Sequence, residues 1–216
     1  SSKDVCCNLS VMFSIRQTDG MESIDFGDTH TMKHNYLDMT VTNRSNDMIW
    51  GCLGANYVHF SMLQEYMAAR LGVAVGKYHH FTNNLHVYKD KFEPEKWLKA
   101  HDEDVTDETT YNRLHHLYTY CKPKLIPLVQ NPEVFEDELP KFVESFSGKK
   151  TTIGNWQEPF FDTVAQPMFM AFAEYKLGLL ASALQFAETI EDDAWRIAAV
   201  RWLQRRKEKR DGKKEV

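Results

Sequence analysis

No stretch of this chain stays apolar for the roughly 20 residues that a membrane-spanning helix requires, so an integral membrane role is not expected. Positive charge is not in excess. Lys and Arg number 26 against 31 Asp and Glu, a formal charge of -5, which argues against a broadly cationic nucleic-acid-binding surface and means that any bound anion is gripped locally. Cysteine is scarce: Cys6, Cys7, Cys52 and Cys121 are all there is. Two of them are adjacent, a poor geometry for a mutual bridge, and none has the spacing of a zinc ligand set, so thiols and no metal are expected. The pairs His79–His80 and His115–His116 do not change that, because neighbouring residues of a strand or helix point apart. The stretch Ser1 to Cys7 lacks the charged-then-apolar build of a secretion signal. A cytoplasmic protein is expected, in the host cytoplasm if the source is viral. There is no internal repeat.

The chain does have enough apolar residues, 43% of 216, to bury a core with an appendage. Leu9, Val11, Phe13 and Ile15 alternate through Asn8–Arg16 and predict a half-buried strand. Gln17 to His34, with Gly20 and Gly27, reads as a connection. Alternation returns over Tyr36–Thr42, a second strand that delivers Arg44 and Ser45 at its end. Phe60, Leu63, Met67 and Leu71 recur at helical spacing within Asn56–Leu71, and Gly72 is placed to cap that helix. Val73–Val75 and Tyr78–Tyr88 are again strand-like, with His86 and Tyr88 on one face. From Lys89 the charge rises, notably at His101 to Glu108, and Pro123, Pro127, Pro132 and Pro140 predict short helices joined by turns. Met168, Phe172, Tyr175, Leu179, Ala183, Phe186 and Ile190 form one face of a single helix over Pro167–Ile190, continued by Trp195, Ala199 and Trp202. The polar tail from Arg205 is expected to fray. The division expected is an α/β core over residues 1–92 and a helical extension over 93–216.

The chemistry concentrates between Asn43 and Asn56. A basic residue and a hydroxyl (Arg44, Ser45), a carboxylate (Asp47), a glycine turn at Gly51 and a side-chain amide (Asn56) lead directly into a helix. That order suits an anionic, hydrogen-bonding small molecule, with the planar guanidinium fork and the hydroxyl as phosphate donors. Asp47 and Asn56 also have plain structural readings as turn or helix caps. Cys7, at the head of the first strand, is a candidate nucleophile wherever nearby positive charge favours its thiolate.

Taken together, Cys7 before a strand, Arg44-Ser45-x-Asp47, Gly51, Asn56 and His86-x-Tyr88 resemble the thymidylate synthase family, including the phage-type dUMP and dCMP hydroxymethylases. The resemblance covers about residues 5–90, the second half of that family's core. Three departures stand out: Cys6 replaces the family's proline, Asn8 its histidine, and the step from Gly51 to Asn56 is one residue longer than usual.

The resemblance implies a thymidylate-synthase-like fold, a mixed sheet packed by helices. Arg44 and Ser45 would hold the phosphate of a pyrimidine deoxynucleoside monophosphate, His86 and Tyr88 its 3′-hydroxyl, and Asn56 the uracil edge. Asp47 and Gly51 would serve 5,10-methylenetetrahydrofolate, the co-substrate. Cys7, Asp47 and Asn56 would form the catalytic set, with Cys7 adding to C6 of dUMP. Thymidylate synthesis is the first expectation and hydroxymethylation the alternative; a non-catalytic nucleotide-binding subunit is the alternative of another class. The family's upstream glutamate, folate-pocket tryptophans and cross-dimer arginines have no counterpart in these residues. A separate N-terminal half is therefore a possible partner, beside the homodimer that the family usually forms, in which an apolar sheet face would be buried between subunits.

Overall fold

The computed structural model describes residues 7–18, 34–92, 123–147 and 153–211. Cys6, Cys121, most of the Gln17–His34 connection and the acidic stretch His101–Glu108 lie outside the described residues. The chain divides into two compact units, residues 1–107 and 108–216, against an expected boundary after residue 92.

Both predicted strands form and run slightly longer than expected: β1 over Asn8–Thr18 and β2 over His34–Asn43. They pair antiparallel, and β2 also pairs in parallel with β4, Ala74–Thr82, so that β2 is the central strand of three. Burial along β2 follows the period of two that its sequence prescribes. Leu37, Met39, Val41 and Asn43 all point inward, and each apolar member contributes about 1.5–3 kcal/mol by leaving water. Two short strands, β3 (Asn46–Asp47) and β5 (Leu85–His86), pair in parallel beyond the end of this sheet.

Helix α1, Asn56–Leu71, lies across β2 and β4. It ends as its sequence predicts, with Gly72 in the left-handed conformation (φ 64°) and the Gly72 and Val73 amides returning to helix carbonyls. Its packed face differs from the expected one. Gln64 and Ala68 are buried, whereas Leu63 and Leu71 are exposed. The helix is turned towards a polar residue because Gln64 Nε2 donates to the carbonyls of Leu37 (2.7 Å) and Lys77 (3.1 Å). The apolar alternation of β2, expected to serve a subunit interface, is thus covered by α1 from the same unit; Leu9, Phe13 and Ile15 of β1 remain exposed.

The two carbonyls taken by Gln64 flank an irregularity in β4. Leu37 pairs with Val75 but Met39 pairs with Tyr78, so β4 carries one extra residue at Gly76–Lys77. A Cβ on Gly76 would sit 2.1 Å from Asp38 Oδ1 and 2.8 Å from the Leu37 carbonyl, and only glycine tolerates that approach. Asp38 fastens the bulge by accepting from the Lys77 amide (2.8 Å) and from Arg16 Nε on β1 (2.8 Å). Partial burial raises the Asp38 carboxyl, but the Arg16 hydrogen bond and the Lys77 amide outweigh it and hold the carboxyl below its usual range.

In the second unit every described element is helical. Helix α2, Lys89–Phe92, closes the described part of the first unit; the second contains α3 (Pro132–Ser147), α4 (Gln166–Lys176), α5 (Leu180–Glu188) and α6 (Asp193–Asp211). The single helix expected over Pro167–Ile190 is two, because the chain turns at Gly178 (φ 81°) between α4 and α5. The predicted frayed tail is helical as far as Asp211. Phe135 and Phe142 of α3 stack on Phe161, with ring centroids 4.9 and 4.8 Å apart, and Ala171, Leu180, Ala183, Ala187 and Leu203 form a second apolar cluster. Buried carboxylates tie the irregular segments down. Glu158 accepts from the amides of Gln130 and Asn131, Glu138 from those of Gln157 and Glu158, and Asp192 from those of Ile126 and Trp195.

Two outcomes follow from the bulge. Gly76→Ala is expected to destabilise the protein by about 1–3 kcal/mol in urea unfolding, since the added carbon has no space and backbone must move. Asp38→Asn is expected to be less stable than wild type at neutral pH. Because the folded carboxyl sits below its unfolded value near about 3.9, that difference is complete above this value and disappears as pH falls through the folded one; unfolding at a series of pH values checks it.

Candidate active site

The end of β1 and the end of β2 are held side by side, the Arg44 amide donating to the Cys7 carbonyl at 3.0 Å. This bond places the candidate nucleophile next to the candidate phosphate grip. Cys7 is a half-buried thiol, Arg44 is exposed and Ser45 is half-buried. After Ser45 the chain forms β3, whose pairing with β5 brings His86 opposite Asp47. Ser45 Oγ then lies 3.3 Å from His86 Nδ1, and the Tyr88 ring meets the His86 ring edge-on at 5.0 Å. Arg44, Ser45, His86 and Tyr88, some 40 residues apart in sequence, are brought together by two residues of parallel pairing.

Asp47 ends β3 and starts a wide helical turn, Met48–Ala55, and its Oδ1 caps that turn by accepting from the amides of Ile49 (3.0 Å) and Trp50 (2.6 Å). The capping reading therefore holds for one oxygen. The other, Oδ2, is buried with no partner among the described residues, which leaves an acceptor for a donor on a bound molecule. The turn also absorbs the extra residue between Gly51 and Asn56, since the Asn56 amide bonds back five residues to the Gly51 carbonyl. Asn56 continues the preceding turn instead of capping a free helix end. Its side-chain Nδ2 donates to Asn46 Oδ1 at 3.0 Å. Gly51 is the floor of that pair: a Cβ there would lie 1.9 Å from Asn46 Oδ1 and 3.2 Å from Asn56 Nδ2.

Around this pair stand residues that the sequence does not single out. His80 Nε2 lies 3.1 Å from Asn46 Nδ2 and also contacts Asn43 Nδ2. His80 Nδ1 is 3.4 Å from the Tyr78 hydroxyl, and the Tyr57, Tyr78 and His80 rings stack in succession at 5.5 and 5.6 Å. Burial pushes the His80 imidazole below its ordinary value, and burial, with lesser effects of Cys52 and Tyr57, pushes the Tyr78 phenol up to about 12. His80 is thus a neutral ring and Tyr78 keeps its proton. Asn43 Oδ1 and Thr82 Oγ1 are further buried atoms with no partner among the described residues. The signal in the sequence was Asn43 and Asn46 flanking Arg44-Ser45. What hid His80 was the bulge: without the extra residue at Gly76–Lys77, His79 would occupy its place. Among the described residues no group of His, Cys, Asp or Glu is placed to hold a metal ion, and no helix is long and apolar enough to cross a membrane.

The arrangement joins a thiol, a guanidinium with a hydroxyl, an imidazole–phenol pair and an oriented amide around a short strand pair. The family described as thymidylate synthase matches residues 5–111. The deoxyuridylate hydroxymethyltransferase of Pseudomonas phage M6 is 34% identical over 213 residues, 95% of this chain and 53% of that protein. That of Bacillus phage SP01 is 41% identical over 91 residues, 42% of this chain and 19% of that protein. The thymidylate synthase of Streptococcus mutans is 30% identical over 138 residues, 64% of this chain and 39% of that protein. The chain thus spans about half the length, or less, of these curated relatives, and no solved structure matches it significantly. Residues 5–111, which contain the whole constellation from Cys7 to Tyr88, belong to the thymidylate synthase family.

Proposed function

We propose that this chain carries the nucleophile and nucleotide-binding part of an enzyme that transfers a one-carbon unit from methylenetetrahydrofolate to C5 of dUMP, with a 5-hydroxymethyl nucleotide as the product. The observation that carries the transferase reading is the convergence of Cys7, Arg44, Ser45, Asn56, His86 and Tyr88 about β3 and β5, in the order that the family uses. Arg44 and Ser45 take the phosphate, while His86 and Tyr88 take the 3′-hydroxyl. The Asn56 amide takes the pyrimidine edge. The Cys7 thiolate adds to C6, and the electron pair passes through C5 to O4 as an enolate that nearby donors stabilise. C5 then attacks the one-carbon unit. Loss of the C5 proton and rupture of the carbon–nitrogen bond to the folate leave an exocyclic methylene on the nucleotide. Asp47 Oδ2, a buried acceptor without a partner, is suited to a ring N–H of the folate; Gly51 serves the Asn46–Asn56 pair.

Two ends are open to the methylene. Water adds to it and the thiolate departs in a hydroxymethylase, releasing tetrahydrofolate; hydride from the folate reduces it in a synthase, releasing dihydrofolate. The length of the match to the phage M6 protein supports the first, since 213 aligned residues take in most of the helical second unit, whereas the family match ends at residue 111. This reverses the order that the motifs alone suggest. Thymidylate synthesis is the second reading. A homodimer and a separate N-terminal half remain proposals; the exposed Leu9, Phe13 and Ile15 of β1 are consistent with either cover.

Incubation with 5-fluoro-dUMP and methylenetetrahydrofolate is expected to give a covalent ternary adduct by mass spectrometry. Cys7→Ser should abolish it and Cys6→Ser retain it. Binding of dUMP with no adduct in wild type would mean a nucleotide-binding subunit. With dUMP itself, chromatography is expected to find 5-hydroxymethyl-dUMP and tetrahydrofolate; accumulation of dTMP with dihydrofolate would establish the second reading instead.

A further inference from the structure

An asparagine by itself does not distinguish uracil from cytosine. Uracil offers a donor at N3 and an acceptor at O4, cytosine an acceptor at N3 and a donor on its amino group, and a side-chain amide matches either by turning through 180°. Discrimination requires that the amide be prevented from turning, and the structure contains a chain of contacts able to do that. Asn46, 3% exposed, points Nδ2 at His80 Nε2 and Oδ1 at Asn56 Nδ2. The fully buried Asn43 points its own Nδ2 at the same ring nitrogen. The Asn46 N–H facing Nε2 assigns the single lone pair of that nitrogen as its acceptor, which places the ring proton on Nδ1, towards the Tyr78 oxygen. With Nε2 an acceptor, Asn46 cannot turn, since its oxygen would meet a lone pair. With Asn46 fixed, Asn56 cannot turn either, since oxygen would then face oxygen. The bare Cα of Gly51 closes the space beside both amides.

We propose that His80 and Asn46 are positioning residues that lock the Asn56 amide in one orientation, so that the site presents a single donor–acceptor edge and discriminates dUMP from dCMP. The inference rests on the proposed role of Asn56 at the pyrimidine. Neither residue touches the nucleotide. His80 acts through Asn46, and Asn46 acts through Asn56. Substitution within this relay alters selectivity while leaving the phosphate and ribose contacts in place.

The test is the ratio of dCMP to dUMP dissociation constants, measured by calorimetry on the full chain. In His80→Phe the stacked ring is kept but the acceptor is gone, so Asn46 turns freely; the ratio is expected to fall about tenfold, the scale of one mispaired buried hydrogen bond. Adding Asn46→Asp to His80→Phe is expected to restore it, because a carboxylate offers Asn56 Nδ2 an oxygen whichever way it lies. A purely structural role for His80 would not be rescued in this way. In wild type, the nitrogen-15 resonances of the His80 ring are expected to show Nε2 unprotonated, a measurement that needs no variant. A protonated Nε2 in the neutral ring, an unchanged ratio in His80→Phe, failure of the second substitution to restore it, or equal affinities in wild type would each overturn the relay. Absence of dUMP binding by wild type would overturn the proposed function and the relay with it, whereas binding with an unchanged ratio overturns the relay alone.

Discussion

The first unit depends on one extra residue in one strand. At Gly76 the β4 backbone comes too close to β2 for any side chain, and the surplus residue at Gly76–Lys77 advances every later position of β4 by one. Because the side chains of a strand alternate, a shift of one exchanges its two faces. Tyr78, His80 and Thr82 thereby join Met39, Val41 and Asn43 on the inner face. The polar groups that such a bulge leaves over are met from both sides, by Asp38 for the Lys77 amide and by Gln64 for the Leu37 and Lys77 carbonyls. The bulge thus fixes the rotation of α1 as well as the choice of histidine, and α1 in turn carries Asn56 at its start.

The same economy of polar groups appears across the chain in a different form. In the second unit buried Glu138, Glu158 and Asp192 each accept two backbone amides, those of Glu138 and Glu158 from segments that are not helical and those of Asp192 from Ile126 and from Trp195 in the first turn of α6. In the first unit Asp38 and Asp47 likewise accept backbone amides, but the groups around Asn56 are neutral amides and an imidazole. A carboxylate accepts in every orientation and makes a good staple, whereas an amide or an imidazole has distinguishable ends and transmits direction. A site that must read one edge of a base is suited to the second kind of group.

For the proposed chemistry, the consequence is that grip and readout are built by separate devices. The grip comes from strand ends: the backbone bond from Arg44 to Cys7 and the β3–β5 pair that seats His86 beside Ser45. The readout comes from the wide turn after Asp47, which takes up the residue added between Gly51 and Asn56 and still brings Asn56 against Asn46. An insertion that lengthens a family motif need not displace the residue beyond it when a helical turn can widen by one bond.

Much was legible in the residues themselves. The alternation of β1 and β2, the run of α1 and its glycine stop are local properties of dihedral preference and side-chain period, and sequence expresses them directly. Cys7, Arg44, Ser45, Asp47, Asn56, His86 and Tyr88 were readable as a set because their order along the chain resembles the family's motifs, with one residue more between Gly51 and Asn56. Other features were decided only by tertiary structure. Gln64 on the buried face of α1 contradicts the apolar period, and its reason lies in strand carbonyls 13 and 27 residues away. The break at Gly178 turns one predicted helix into two because a left-handed residue can end a helix wherever packing asks for a turn, a choice invisible to periodicity. The choice of His80 over His79 was equally hidden: adjacent residues are equivalent in sequence, and which of them faces inward is a matter of register, set by pairing between strands and by the space that one glycine leaves.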